Sequence, residues 1–117
     1  MKSDHLYLDF IVRSTGLIED YIKDHDTPLD VALIRDAVLR NLQIVAQAAM
    51  TLSEDFKERH PAVDWRGLRS FRNILVHDYL DVDLTHVYRV LDVSLPILMQ
   101  AAQKELERYT REMGEDD

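Results

Sequence analysis

The sequence predicts an all-α fold, an up-down bundle of four main helices plus a short one. Three observations carry this. Apolar residues recur at three- and four-residue spacing along four long segments, the period that gathers side chains onto one helical stripe. Only 3 Gly and 3 Pro occur in 117 residues, too few for the many turns of an all-β fold. Hydrophobic residues at 46% and charged residues at 31% supply a core and a solvated face together. A chain of 117 residues is the size of one domain, able to withdraw roughly two thirds of its unfolded surface from water.

The first helix is expected from Asp4 to about Lys23, where Tyr7, Phe10, Ile11, Leu17, Ile18 and Tyr21 form a stripe. The run Asp24-His25-Asp26-Thr27-Pro28 breaks it. Thr27 stands where a cap belongs, Pro28 suits a first turn and Asp30 favours the positive dipole end, so the second helix is expected to start there. Its stripe runs through Ile34, Ala37, Val38, Val45, Ala48 and Leu52 and includes Asn41, a polar group that needs a partner if buried. Ser53 to Arg59 reads as a short helix or turn ended by His60-Pro61.

Asp64 is a good cap for a third long helix, in which Leu68, Phe71, Leu75 and Tyr79 share a stripe. Asp81-Val82-Asp83 reads as a connector, with Asp83 capping a fourth helix through Val87, Leu91, Leu95, Leu98, Ala102, Leu106 and Tyr109. Pro96 is expected to kink that helix by removing a donor and crowding the carbonyl four residues back. Residues 114–117 read as a frayed acidic tail on a single domain spanning 1–117, without repeats or low-complexity segments.

Composition narrows the function. No apolar run approaches the roughly 18 residues of a membrane span, and Met1-Lys2-Ser3-Asp4 lacks a signal peptide's apolar core, so a cytoplasmic location is expected. The absence of cysteine removes disulfides, thiolate zinc sites and thiol nucleophiles. A net charge of −8 disfavours broad adhesion to nucleic acid, so an RNA site has to be a local basic patch.

The segment Phe71-Arg72-Asn73-Ile74-Leu75-Val76-His77-Asp78-Tyr79 concentrates a cation, an amide, an imidazole, a carboxylate and a phenol around an apolar run. On one helix Asn73 and His77 share a face, whereas Arg72 and His77 diverge by roughly 140° and need help to meet at one atom. A helix end near Asp78, the length of the arginine or a second subunit supplies that help. His77 is able to move protons near neutral pH. Arg72 is a permanent cation able to hold developing negative charge through paired donors. Asn73 is placed to orient His77 or a phosphate. Arg66, Arg69 and Arg72, three residues apart, fan out as the local basic patch, with Arg69 orienting substrate.

This region resembles the HepT family, a branch of the HEPN superfamily of helical bundles. The resemblance covers Asp36-Ala37-Val38-Leu39-Arg40-Asn41-Leu42, Phe56 to Pro61, Trp65-Arg66-Gly67-Leu68, the Arg72 to Tyr79 core and Asp81-Val82-Asp83-Leu84. The family's arginine, four-residue gap, histidine, one-residue gap, tyrosine motif falls on Arg72, His77 and Tyr79. One departure is Ala46-Gln47-Ala48, where the family usually reads Gly-Glu-Ala, so the residue at that position cannot titrate.

The resemblance implies a toxin ribonuclease of the HepT/MntA type that cuts RNA without a metal or other cofactor. It implies a homodimer with a composite cleft and a cognate minimal nucleotidyltransferase antitoxin that adenylylates Tyr79. The alternative is a noncatalytic HEPN subunit that binds nucleotide or scaffolds a nucleotidyltransferase, and a helical dimerisation module is a third reading. Asp78, Asp81 and Asp83 beside His77 lack the glycine and terminal glutamate of a calcium loop and the paired histidines of a zinc site. His5, His25, His60 and His86 read as solvated or capping residues, and Trp65 as a core anchor.

Overall fold

The computed structural model describes residues 2–115. Helix α1 (Lys2–Ile22) buries Leu8, Ile11 and Ile18 in one line, with Ser14 and Thr15 between them. Phe10 and Leu17, expected on that stripe, lie on its flank and stay exposed. The fully inward line is offset from the sequence stripe because α1 packs against two neighbours, α2 (Ala32–Thr51) and α6 (Leu95–Glu115).

Between α1 and α2 the chain makes a 3-10 turn at Pro28–Asp30 rather than beginning the helix there. Thr27 makes no capping hydrogen bond with its side chain. The backbone N–H of Leu29 instead donates to the Tyr88 hydroxyl at 3.1 Å, a tertiary contact that no local signal announces. Helix α2 then buries Val38, Leu39, Asn41, Leu42, Val45, Ala46, Ala48 and Ala49. Asn41 is satisfied within its own helix, Nδ2 donating to the Ala37 carbonyl at 2.9 Å.

Helix α3 (Glu54–Arg59) is capped by Ser53, whose hydroxyl accepts from the Phe56 N–H at 3.1 Å. The same hydroxyl donates to Asp4 at 2.6 Å, and the Ser53 N–H donates to the other Asp4 oxygen at 2.8 Å. One carboxylate therefore ties the start of α1 to the corner between α2 and α3, and Phe56, fully buried, fills the space beneath. Burying such a ring stabilises the fold by about 1.5–3 kcal/mol before strain is counted.

Helix α4 (Trp65–His77) packs against α2. It ends two residues before Tyr79, because Asp78 leaves helical geometry (φ −131°, ψ 38°); Tyr79 begins a separate 3-10 turn, Tyr79–Asp81. Asp83 caps α5 (Leu84–Arg89) by accepting from the Thr85 N–H at 2.9 Å, as expected. A π-turn, Val90–Ser94, joins α5 to α6 without a break. This turn ends two residues before Pro96, and the wider loop accommodates the missing donor and the bulk of the ring. The rod from Leu84 to Glu115 extends about 48 Å at 1.5 Å per residue, and the longest dimension of the molecule is 48 Å. Of the acidic tail expected at 114–117, Glu115 closes α6, while Asp116 and Asp117 lie outside the described residues.

Of the histidines read as solvated or capping, His5 and His25 are exposed and His60 is the C-cap of α3; His5, His60 and His86 also lie against the rings of Tyr109, Phe56 and Phe71. His60 and Phe56 sit with centroids 4.5 Å apart. Burial pushes the His60 pKa below its ordinary value, reinforced by Arg59 and Lys104 and opposed by Glu105. The unfolded chain thus binds the proton more readily than the fold does. Stability is complete above the ordinary imidazole pKa of about 6.5, declines as pH falls through it and levels off below the lowered folded value. Thermal melts at pH 7.5 and 5.5 are expected to differ by a few degrees, with a smaller difference in His60→Leu; an unchanged difference in the variant would remove His60 from the acid response.

Candidate active site

Helix α4 is fixed at its start by two side chains. The Asp64 carboxylate accepts from the Gly67 N–H at 2.9 Å, a cap contributing about 1 kcal/mol. A Cβ at position 67 would collide with that carboxylate, so glycine lets the cap close tightly. The Trp65 indole N–H donates to the carbonyls of Lys57 and His60 at 3.2 and 3.1 Å, anchoring α4 to α3, and its ring meets Phe56 edge-on. Burial of Leu68, Phe71 and Leu75 then sets the rotation of the helix. Arg66, Arg69, Asn73 and His77 fall on the exposed side, and Arg72 is half-buried at its edge.

Arg72 is the point where α4 meets α2. Its Nε donates to Gln47 Oε1 at 2.9 Å and its Nη1 to Asn73 Oδ1 at 3.1 Å. Two of the five guanidinium donors are thereby used and three remain for an anion. Both acceptors are neutral amides. Among the described residues Arg72 forms no ion pair, with Asp78, Asp81 or any other carboxylate, and neither do Arg66 and Arg69. The arginine is held in place without losing its charge. Gln47, read from the sequence as a departure from the glutamate of the resembling family, accepts from the guanidinium and leaves its charge unneutralised.

Asn73 thus turns its carbonyl to Arg72 rather than to His77. His77 is the last residue of α4, exposed, and its side chain makes no hydrogen bond with the described residues. Tyr79, in the turn beyond, is half-buried and packs its ring on the core. Arg72 and His77 share one short helix without touching through a hydrogen bond, so the motif is clustered but not closed within a single chain. Among the described residues no group of three or more His, Asp or Glu side chains converges in a way that could hold a metal ion. No described helix is long and apolar enough to cross a membrane.

The chain is an all-α bundle with this set at and just beyond the end of α4, and sequence comparison gives the family. The model of the HepT-like family, described as ribonuclease HepT-like, matches residues 11–105, and the chain belongs to that family. A Thermococcus cleftensis protein named probable ribonuclease HepT is 30% identical over 107 residues, covering 89% of this chain and 97% of its own length. A candidate RNase of Methanocaldococcus jannaschii is 30% identical over 92 residues, 77% of this chain and 84% of the relative. A second protein of that organism, named gamma-glutamylcyclotransferase and candidate RNase, is 32% identical over 112 residues, 94% of this chain. This chain spans only 50% of that relative's length. No solved structure gives a significant match.

The Gln47–Arg72 bond, across 25 positions in sequence, is directly testable. In nitrogen-resolved NMR the Arg72 Nε–H is expected to give an exchange-protected signal that Gln47→Ala abolishes and Gln47→Glu retains. Stability should change by less than about 0.5 kcal/mol, because the pair lies at the surface. Protection that survives Gln47→Ala would mean the bond does not form in solution.

Proposed function

We propose that this chain is the ribonuclease toxin of a toxin-antitoxin pair, cutting RNA without a metal at a site built on Arg72 and His77. The observation that carries the reading is the Arg72 guanidinium, oriented by two neutral amides and left with three free donors on the same helix that ends in the exposed His77 imidazole. A phosphorus centre gathering negative charge needs such a cation, preorganised and not neutralised. The chemistry follows. His77 takes the proton of the 2′-hydroxyl as its oxygen attacks the adjacent phosphorus, Arg72 holds the equatorial oxygens, and the 5′-oxygen leaves with a proton. The products are a 2′,3′-cyclic phosphate and a 5′-hydroxyl. Asn73 keeps Arg72 in register, and Arg69, one turn earlier, steers the strand.

One imidazole does not serve both as base and as acid in the same displacement, so the second proton donor is the His77 of a second copy. Support for a homodimer comes from Val76, Leu80 and Val93, which stand 44%, 95% and 54% exposed on α4, the following turn and the π-turn. Apolar side chains left in water around a catalytic motif favour a partner surface. Arg72→Ala and His77→Ala are each expected to lower RNA cleavage by at least about 100-fold with unchanged helical content, while EDTA leaves the wild type unaffected and the wild type sediments as a dimer. Growth and RNA integrity on expression in a bacterial host give the cellular readout. Equal toxicity of His77→Ala would favour the noncatalytic scaffold instead.

Regulation resides in Tyr79. A nucleotidyltransferase antitoxin transferring adenylate to its hydroxyl places a phosphate and a bulky nucleoside beside Arg72 and His77, where the RNA phosphate has to dock. The half-exposed setting of Tyr79 is compatible with such access. Tyr79→Phe is expected to remain toxic and become insensitive to the antitoxin, with mass spectrometry placing adenylate on Tyr79 of the wild type. Adenylate found on another residue would overturn this account of regulation.

A further inference from the structure

From the geometry we infer that a cavity between α2, α3 and α4 binds a nucleotide of an RNA strand beyond the two that flank the cleaved linkage, with Trp65 and Arg66 as its positioning residues. This inference rests on the ribonuclease reading for the identity of the strand. The cavity holds about 400 Å³, enough for a small ligand. Its apolar floor is formed by Ala49, Leu68 and the Trp65 ring, and its walls carry Lys57, Arg66 and Arg69.

Position ties the cavity to the candidate active site. Met50, on its wall, lies three residues from Gln47 on α2, and Arg69 lies three residues from Arg72 on α4. The cavity and the Gln47–Arg72 pair therefore occupy successive turns of one interhelical groove. Arg66 to Arg72 covers about 9 Å along the helix axis at 1.5 Å per residue, more than a single internucleotide step. A strand whose phosphate rests on Arg72 delivers a nucleotide beyond the adjacent one to this opening.

Charge favours an anionic occupant. Three cations against Glu54 and Glu58 leave the lining at +1 in a protein of net charge −8. Arg66 and Arg69 form no ion pair with a described residue. Lys57 is pinned, Nζ donating to the Met50 carbonyl at 3.1 Å with Glu54 at 3.7 Å, and its side chain is only 12% exposed. The Trp65 N–H is already committed to two carbonyls, which holds the indole rigid and leaves its ring for stacking. A fixed aromatic ring beside unpaired guanidinium groups is the pairing that holds single-stranded nucleic acid, the base on the ring and the phosphate on the cations.

Trp65 is the sole tryptophan, so its fluorescence reports on this cavity alone. The full-length protein is titrated with an uncleavable 2′-O-methyl hexanucleotide and, separately, with adenosine monophosphate. Cleavage is followed in parallel on a hexanucleotide and on a dinucleotide too short to reach the cavity. Saturable quenching by the hexanucleotide is expected. Arg66→Glu, an exposed position where a carboxylate suits the helix start, should abolish the quenching and raise the hexanucleotide KM about tenfold, a larger loss than in kcat/KM for the dinucleotide. Cleavage without quenching, together with an unaltered KM in Arg66→Glu, overturns the inference. Quenching by the monophosphate as strong as by the hexanucleotide, with KM unaltered, also overturns it and makes the cavity a free-nucleotide site. If the wild type cleaves nothing yet the hexanucleotide still quenches in an Arg66-dependent way, the ribonuclease reading fails and the RNA site stands.

Discussion

The close packing of α2 against its neighbours is the constraint on which the rest of the molecule depends. Ala46, Ala48 and Ala49 are buried along its middle, and small side chains let helix axes approach toward the short end of the usual 8–10 Å range. Helix α1 settles on one side and α4 on the other. Across the contact between α2 and α4, Gln47 accepts from Arg72. Larger residues at the alanine positions would force the helices apart, at a typical cost of 1–3 kcal/mol. They would also release the arginine from its acceptor, so packing of the core and posture of the cation are one constraint seen from two sides.

Electrostatics complete the picture. The chain is strongly acidic overall, and several of its arginines are used structurally: Arg13 pairs with Asp9, Arg59 with Asp55 and Glu105, Arg108 with Glu105 and Glu112. The three arginines of α4 are different, since none of them forms an ion pair with a described residue. The net negative charge suppresses indiscriminate attraction to phosphate backbones, while a short unpaired cationic stripe preserves it at one place. An acidic protein and an RNA-binding groove are thus compatible, because the local field at a docking surface is set by the nearest unneutralised groups and salt screens the remainder within about 8 Å at physiological ionic strength.

The helix termini add a second level of control. Asp4 bridges α1 to Ser53, Asp64 closes on Gly67 and Trp65 reaches back to two carbonyls at the end of α3. These contacts position the first turn of α4, and a helix fixed at its first turn carries that rotation along its length. The motif sits at the far end, where α4 stops at His77 and the chain turns through Tyr79. A fixed start and a short terminal turn leave the His77 imidazole exposed and the Tyr79 phenol half-buried at that end of α4.

Much of this was determined by the sequence alone. Period and composition specify the number of helices. Ser53, Asp64 and Asp83 specify where three of them begin, because a capping oxygen bonds an N–H two or three residues on and needs no distant partner. The Arg72, His77 and Tyr79 set was equally legible, being spaced within one segment. Contacts between segments were not. The 3-10 turn at Pro28 is held by Tyr88, which lies 59 residues away, and it displaced the helix start read at Thr27. The outward placement of Phe10 and Leu17, the stacking of His5, His60 and His86, and the end of α4 before Tyr79 all depend on neighbours that local periodicity does not encode. The Gln47–Arg72 bond is of the same kind. A sequence announces what each residue can donate, accept or bury, but which donor meets which acceptor is decided only when helices far apart in the chain are packed side by side.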